Sequence, residues 1–291
     1  MILFSYFLYY CILIPLSLLP FPVLYGISNV AFYLLYYVFP YRKKVVLENL
    51  KKSFPEKSEK EINAIAKKFY RHFCDLAVES IKVFTISKTS LMSRLNVVGP
   101  DLMKKYYDEK RSLILVTGHY ANWEWAAVSI GLYGPHVPLG IYQRISNKFF
   151  DAKMQETRNR FGTILMSTKE VSEFFERYKN QLTMTGFIAD QSPGKVQNAH
   201  WMQFLNQDTP VSYGSEKYAR QYNMVVLYGK ITKVKRGHYQ VEYELITDEP
   251  NSLAPNEITE RHTRINEKLI KAAPEYWLWT HRRWKHKREK V

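Results

Sequence analysis

One histidine and one acid in the sequence have the types and the spacing that acid–base chemistry needs. His119 follows an apolar run, residues 113–116, and Glu124 comes five positions after it. An imidazole accepts a proton from a hydroxyl near neutral pH, and a carboxylate on its other ring nitrogen fixes the tautomer. The pair therefore predicts a general base with an orienting acid, suited to the attack of a hydroxyl on a thioester carbonyl. A structural histidine at a strand end is the alternative.

A second pair with the same spacing, His262 and Glu267, is predicted to have no such role. It lies in a polar pattern typical of a helix, where five residues turn about 140° beyond one full turn. The two side chains then point in different directions, and we expect both to lie on a solvated face.

The elements that must position His119 follow an alternating pattern of strands and helices. The run 113–116 ends near Gly118 and indicates a buried strand, and Asn122 is suited to cap a helix with Glu124 in its first turn. Further strands are predicted at 137–142, 163–166, 182–189, 224–231 and 239–245, and helices at 149–161, 169–179 and 212–221. This alternation predicts an α/β fold, a sheet with helices packed on it.

The N-terminal segment differs from the rest of the chain in composition. Residues 1–41 contain no charged residue and no histidine, and Arg42, Lys43 and Lys44 then follow together. Prolines divide the stretch, so it predicts a short first segment and then a helix at about 23–38. The basic flank predicts a retained membrane anchor with its C-terminal side in the cytoplasm. A buried core helix is the alternative.

Two more helices are predicted directly after this segment. Residues 42–54 form a helical pattern that ends before Pro55, and Ser58 with Glu61 is a capping box that opens a helix running towards residue 83. The chain is thus expected to divide into an anchor, residues 1–41, and one catalytic domain, residues 42–291.

Composition limits the classes of protein that remain. The 291 residues have a formal net charge of +15, and 46% of them are hydrophobic, which indicates a folded, basic protein. Two distant cysteines and the lack of a zinc, phosphate-loop, dinucleotide or serine-hydrolase motif predict no metal site and no cofactor.

The C-terminal segment is rich in aromatic and basic residues. It carries Trp277, Trp279 and Trp284, together with Arg282, Arg283, Lys285, Lys287, Arg288 and Lys290. Tryptophans so close together predict core packing, and a run of like charge predicts a solvated face. Beside a membrane anchor such charge suits an anionic membrane surface or an acidic carrier protein. Nucleic acid is not predicted as a partner, because no nucleic-acid module is present.

Several motifs together resemble one known family. They are Arg42-Lys-Lys-Val-Val-Leu-Glu-Asn-Leu, Ser53-Phe-Pro-Glu, the stretch from Gly118-His119 to Glu124, Ala189-Asp190-Gln191, and Pro274-Glu-Tyr-Trp-Leu-Trp-Thr-His-Arg-Arg-Trp-Lys. In this order they resemble the lipid A biosynthesis acyltransferases, late acyl-ACP-dependent enzymes that are similar to the lysophospholipid and glycerol-phosphate acyltransferases. The resemblance covers roughly residues 15 to 285.

The resemblance implies a glycerol-phosphate-acyltransferase-like sheet flanked by helices and roles for particular residues. His119 would be the general base, Glu124 its orienting partner, and Asp190 a structural or substrate-site acid. Gln143 stands where the family commonly has an arginine. The resemblance therefore leaves the acceptor phosphate to one of three nearby arginines, Arg144, Arg158 or Arg160.

The implied activity is transfer of a fatty acyl chain from acyl carrier protein to a hydroxyl of a lipid A precursor. It would take place at the inner membrane, with the catalytic domain on the cytoplasmic side. Two alternatives stay open: the same chemistry on a lyso-phospholipid or an amino-acid-based lipid, and a catalytically silent homologue that binds lipid.

Overall fold

The apolar runs of the sequence form a mixed sheet in the computed structural model of the chain, which describes residues 2–194, 196–197 and 199–288. Its seven strands have the order β1-β9-β8-β2-β5-β3-β4, and β6 pairs with β7 in a separate hairpin. The strands are β1 (Leu95–Val98), β2 (Leu113–Thr117), β3 (Val137–Tyr142), β4 (Ile164–Ser167), β5 (Thr183–Ile188), β6 (His200–Phe204), β7 (Gln207–Val211), β8 (Val225–Lys235) and β9 (His238–Thr247). The predicted α/β fold is confirmed.

The centre of the sheet is parallel and buried on both faces. β2 lies between β5 and β8, and it pairs with both in parallel register. Its residues Leu113 and Leu115 contribute to one hydrophobic cluster, and Ile114 and Val116 to another, because successive side chains of a strand point to opposite faces. Such two-sided burial explains the unbroken apolar run that predicts this strand.

Helices cover both faces of the sheet. Their bounds are α1 (Ile2–Phe7), α2 (Ile14–Leu18), α3 (Phe21–Tyr33), α4 (Lys43–Ser53), α5 (Glu59–Lys82), α6 (Lys88–Met92), α7 (Asp101–Asp108), α8 (Trp123–Ser129), α9 (Lys148–Asn159), α10 (Val171–Tyr178), α11 (Gly214–Gln221) and α12 (Glu257–Ala272). The predicted capping box is confirmed: Ser58 accepts from the Glu61 backbone N–H, and the Glu61 carboxylate accepts from the Ser58 N–H. The more specific likeness to a glycerol-phosphate-acyltransferase sheet stays a prediction.

The N-terminal segment packs along α5. The Tyr25 hydroxyl donates to the Glu79 carboxylate at 2.8 Å, and the Ser28 hydroxyl donates to Asp75 at 2.7 Å. Farther along, the Arg71 guanidinium lies 5.1 Å from the Phe32 ring centroid. α3 is therefore fixed side-on to α5 over about two helical turns.

The opposite side of α3 is apolar and exposed. Together with a π-helical turn, Leu34–Val38, α3 forms an 18-residue helix, long and apolar enough to cross a membrane, with a mean hydropathy of 1.4. Its exposed residues recur at helical spacing and form what we call the outer apolar face: Val23, Ile27, Val30, Leu34 and Val38. The predicted helix at 23–38 is thus confirmed, while its membrane role stays a prediction.

Two expectations of solvated surface are wrong. His262 and Glu267 of α12 are both buried, since α12 packs against β8 and β9 of the sheet and against β6 of the hairpin. Their side chains do point apart, because Glu267 accepts from the Leu205 N–H and His262 lies near Ser215. In the C-terminal segment, Trp277 and Trp279 are core residues as predicted.

Arg283, predicted on the solvated face of the tail, is 1% exposed. The segment that follows α12 folds back over β7, where the Arg283 guanidinium donates to the carbonyl oxygen of Pro210. Lys287 and Arg288 are exposed, and Lys290 lies outside the described residues.

Candidate active site

His119 stands in a tight loop between β2 and α8. Gly118 comes first, and a Cβ there would lie 2.7 Å from the Asn266 side-chain oxygen, so glycine is needed for this close approach. Ala121 then adopts a left-handed conformation with φ of 50°. Asn122 ends the loop as the predicted N-cap, and its Oδ1 accepts from the Trp125 backbone N–H at 2.9 Å. Backbone and cap together fix the direction of the His119 side chain.

Asp190 is the acid that contacts the His119 ring. The distance from His119 Nδ1 to Asp190 Oδ1 is 2.6 Å, and the His119 backbone N–H donates to Asp190 Oδ2 at 2.7 Å. Thr117 of β2 pairs with Ile188 of β5. His119 and Asp190 each come two positions later, so they meet at the same edge of the sheet. The catalytic loop and the end of β5 thus form one site.

Glu124 has a different partner from the one the spacing predicts. Both of its carboxylate oxygens accept from the Arg158 Nη2, at 3.1 and 3.0 Å. The expected role of Glu124 as the acid on the His119 ring is therefore corrected: α8 carries Glu124 towards α9, and Asp190 holds the Nδ1 instead. Glu124 and Arg158 are each about a fifth exposed, at 23% and 22%.

Asp190 is held ionised although it is buried. Burial alone would raise the pKa of this carboxyl, but the interaction with His119 and the hydrogen bonds from His119 and from the Trp277 indole outweigh burial, so the pKa lies below its ordinary value. The Trp277 Nε1–H donates to Oδ2 at 2.7 Å. Trp277 reaches this position because the Ala121 N–H donates to the Tyr276 carbonyl oxygen, which ties the C-terminal segment to the catalytic loop.

The second ring nitrogen of His119 faces Gln191. Since an ionised carboxylate only accepts, Nδ1 carries the proton, and Nε2 is left as an acceptor. The Gln191 side-chain nitrogen lies 3.1 Å from it and donates. His119 thus has the Nδ1–H tautomer, and its Nε2 can accept a proton.

A largely apolar cavity of about 420 Å³ opens beside His119. His119, Glu124 and Arg158 share its wall with apolar side chains of the sheet, among them Leu115, Ile231 and Val241, and with Ile130, which directly follows α8. Gly140, Gly186 and Gly229, on three strands, also line it, and their lack of side chains leaves the space open. The cavity therefore places His119 beside a largely apolar space of the size of a small-molecule site.

The three candidate arginines occupy different environments. Arg158 lines the cavity, and its buried Nε has no hydrogen-bond partner in the part of the chain that the structure describes. Arg160 donates to the carbonyl oxygens of Val83, Phe84 and Ile86 and so fixes the loop after α5. Arg144 is exposed and pairs with Glu170. Arg158 alone of the three combines access to the cavity with a free donor.

Sequence reasoning did not assign Gln191, Trp277 or Arg283 to the site. Gln191 could have been found because it directly follows Asp190 in a motif, and Trp277 because it lies in the tryptophan-rich C-terminal segment. No feature of the sequence around Arg283 indicates that it is buried. Among the described residues, no group of three or more His, Cys, Asp or Glu is placed to hold a metal ion.

Comparison with known proteins is decisive at this point. Residues 1–286 match the family described as bacterial lipid A biosynthesis acyltransferase. The chain belongs to this family. It is therefore an acyltransferase, and the resemblance of its motifs is confirmed.

Individual members of the family are distant in sequence but align over most of the chain. The lipid A biosynthesis lauroyltransferase of Escherichia coli (strain K12) is 23% identical over 94% of this chain and 89% of its own length. The lipid A biosynthesis palmitoleoyltransferase of the same strain is 22% identical over 84% of this chain and 79% of its own length. A lipid A biosynthesis acyltransferase of Haemophilus influenzae is 23% identical over 84% of this chain.

Proposed function

We propose that the chain transfers a fatty acyl chain from acyl carrier protein to a hydroxyl of a lipid A precursor, with His119 as the general base. One observation carries this proposal: His119, whose Nδ1 is bound by the buried Asp190, lines a largely apolar cavity. An acyl-chain site next to a base is what direct transfer of an acyl group to a hydroxyl needs.

The reaction needs no nucleophilic side chain. The acceptor hydroxyl takes the place of Gln191 at His119 Nε2, gives its proton to this nitrogen, and its oxygen attacks the thioester carbonyl carbon. The C–S bond then breaks, and the imidazolium returns the proton to the leaving thiolate. Asp190 stabilises the imidazolium throughout, because its carboxylate stays bound to Nδ1.

The cavity and Arg158 hold the two substrates. The acyl chain lies among the apolar side chains of the cavity, where each buried methylene contributes about 0.8 kcal/mol. Arg158 binds the phosphate of the acceptor through the donors that Glu124 leaves free, and Glu124 sets the orientation of the guanidinium. Glu124 thus supports catalysis through Arg158.

The donor and the membrane are both matched by the charge of the protein. A formal net charge of +15 attracts an acidic carrier protein and anionic lipid headgroups. Arg42 and Lys44 are exposed directly after the outer apolar face, at the level where lipid headgroups would lie. We therefore infer attachment to the cytoplasmic side of the inner membrane.

The N-terminal segment is proposed to lie against the membrane. One side of α3 is fixed to α5, whose Asp75 and Glu79 would enter the hydrocarbon if α3 crossed it. The outer apolar face is free to insert into one leaflet, as amphipathic surface helices do.

Two measurements test the function. Purified protein with acyl carrier protein carrying a fatty acyl thioester should acylate a lipid A precursor, and His119→Ala should lose at least about 100-fold in turnover while it stays folded. In cells, mass spectrometry of lipids with and without the gene should show one missing secondary acyl chain on lipid A. A change confined to a phospholipid or an amino-acid-based lipid would reassign the acceptor, and no change with no turnover would indicate a silent homologue.

A further inference from the structure

A buried arginine lies on the far side of Asp190 from the catalytic histidine. Arg283 is 1% exposed, and its Nη2 donates to the Pro210 carbonyl oxygen at 2.8 Å. Its Nε and Nη1 have no hydrogen-bond partner within the described residues. Buried donors without partners are costly, and a buried charge without partners is more so, which makes this arrangement unusual for a structural residue.

These donors belong to a side chain that lines a small space in the core, which we call the chamber. Asp190 and Arg283 are the charged residues of its wall, and the other polar groups are Thr117, Tyr228, His262, Thr263 and Asn266. Its volume is about 10 Å³, close to what one water molecule occupies by the same measure. A space of this size with several hydrogen-bonding groups in its wall, Asp190 and Arg283 among them, is where a buried water is expected.

Asp190 can accept one more hydrogen bond from this side. An ionised carboxylate has about four acceptor positions, and three are filled: by His119 Nδ1 on Oδ1, and by the His119 backbone N–H and Trp277 on Oδ2.

The charges of the groups in the chamber wall are also complementary, since Arg283 is positive and Asp190 is negative. Burial lowers the pKa of Arg283 to about 10, the Asp190 charge opposing this, so the guanidinium is charged at neutral pH. His262 is neutral there, because burial lowers its pKa to about 4.

We propose that Arg283 is a positioning residue for His119, which acts through Asp190 and one water held in the chamber. The water accepts from Arg283 and donates to Asp190, and this additional hydrogen bond fixes the carboxylate at Nδ1. This role rests on the proposed function of His119, and it extends the catalytic pair into the core of the fold.

Two substitutions separate charge from packing. Arg283→Met removes the donors and the charge at similar volume, whereas Arg283→Lys keeps the charge. We expect Arg283→Met to lower kcat by about 10- to 100-fold, the worth of one charge-assisted hydrogen bond, with KM unchanged because Arg283 is outside the substrate cavity. Arg283→Lys should restore most of kcat.

A structural arginine supplies the matched control. Arg220 pairs with the buried Glu216 far from His119, so Arg220→Met should lower the melting temperature but leave kcat of the folded enzyme near the parent value. If Arg283→Met and Arg220→Met lose kcat alike in proportion to their melting temperatures, Arg283 is structural and the proposal is overturned.

A double-mutant cycle with Asp190→Asn identifies the route of the effect. If Arg283 acts through Asp190, adding Arg283→Met to Asp190→Asn should change kcat by less than about threefold. If the two residues act independently, the losses in kcat of the two single variants should multiply in the double variant. Full turnover by Arg283→Met, or losses that multiply, would overturn the proposal.

Two further readouts cover the remaining outcomes. A high-resolution crystal structure of the unsubstituted full chain should show one water between Arg283 and Asp190, and an empty chamber would count against the proposal even if the Met variant fails to fold. Failure of the proposed function is separate, since it would appear as turnover by His119→Ala.

Discussion

His119 Nδ1 and Asp190 Oδ1 lie 2.6 Å apart although 71 residues separate them in the chain. Thr117 of β2 and Ile188 of β5 are paired in register on neighbouring parallel strands. His119 comes two positions after Thr117, and Asp190 comes two positions after Ile188. The carboxyl ends of adjacent parallel strands meet at one edge of a sheet, so the pairing of β2 with β5 brings the two side chains together. The nearer acid in sequence, Glu124, contacts an arginine instead.

This geometry predicts unequal effects for the two acids. Asp190→Asn should lower kcat by about 10²- to 10⁴-fold, because the amide no longer stabilises the imidazolium and can present an N–H to Nδ1. Glu124→Gln should cost only about tenfold, since it weakens the orientation of Arg158 and leaves the His119 ring bound. Steady-state kinetics with an acyl carrier protein thioester measure both values.

Melting temperatures of the two variants are the control, because Asp190 is buried and its loss also affects stability. Equal losses, or a larger loss for Glu124→Gln in equally folded proteins, would assign the orienting role to Glu124 after all.

The strands and the helix cap of this site could be predicted from the sequence. That Asp190 and not Glu124 contacts His119 could not. β2 and β5 are apolar runs, and Asn122 is a capping residue, so both follow from local patterns. Strand order depends on pairing between distant segments, which a single sequence does not record. The strand β1 and the hairpin of β6 and β7 were missed because they are short and partly polar, with Pro210 in β7.

Two predictions of exposed surface from charge patterns are wrong, because tertiary packing determines which residues are buried. Arg283 stands in a run of basic residues, which usually marks a solvated face, yet the chain turns back over β7 and buries it. His262 is predicted on a solvated face by its polar neighbours, although α12 packs on the sheet through it. In both cases the neighbours in sequence do not indicate which side of the element meets the core.

The cavity arginine is predicted to be the phosphate contact. Arg158→Lys should raise the acceptor KM or lower turnover by roughly tenfold, because the lysine ammonium cannot reproduce the guanidinium geometry. Kinetics with a phosphorylated acceptor and its dephosphorylated form should show that Arg158→Lys discriminates the two less well than the parent does. Arg144→Lys should behave as the parent, since Arg144 is exposed and does not line the cavity.

Arg160→Lys should lower stability without changing this discrimination, because its contacts are backbone carbonyls of the loop after α5. If Arg158→Lys keeps the parent preference for the phosphorylated acceptor, Arg158 is not the phosphate site.

The outer apolar face is predicted to bind the membrane. Val30→Glu places a charge at its centre and should weaken binding to anionic vesicles by roughly tenfold or more. Val234→Glu is the matched control: Val234 is 64% exposed against 61% for Val30, but it lies on the hairpin of β8 and β9. Sedimentation in high salt, which removes electrostatic binding, should separate the two variants.

These substitutions are sharper than a deletion of residues 1–38, which would also leave Asp75 and Glu79 without Ser28 and Tyr25 as partners. Equal sedimentation of Val30→Glu and Val234→Glu would place the membrane contact elsewhere.

The last prediction concerns acid stability and follows from buried histidines. Burial lowers the pKa of His262 to about 4 and that of His72 to about 3, while the ordinary value is 6.5. Between these values and 6.5 the unfolded chain binds protons that the folded chain does not, so stability rises with pH there. The contribution is complete above about pH 6.5 and is lost as the pH falls towards 4.

His262→Gln tests one of these groups alone. It removes a group whose protonation contributes on the order of 3 kcal/mol to the acid destabilisation, so the variant should lose less stability than the parent between pH 6.5 and 4. At pH 7 it should be less stable than the parent by about 1 to 3 kcal/mol, because a buried side chain is replaced.

His238→Gln is the control. His238 lies next to the turn of the hairpin of β8 and β9, and its Nδ1 is close to the Arg236 carbonyl oxygen. Urea unfolding at several pH values measures the free energy of unfolding of all three proteins. Parallel curves for the parent and His262→Gln would mean that His262 is protonated in the folded state. The neutral charge assigned to it in the chamber beside Asp190 would then be wrong.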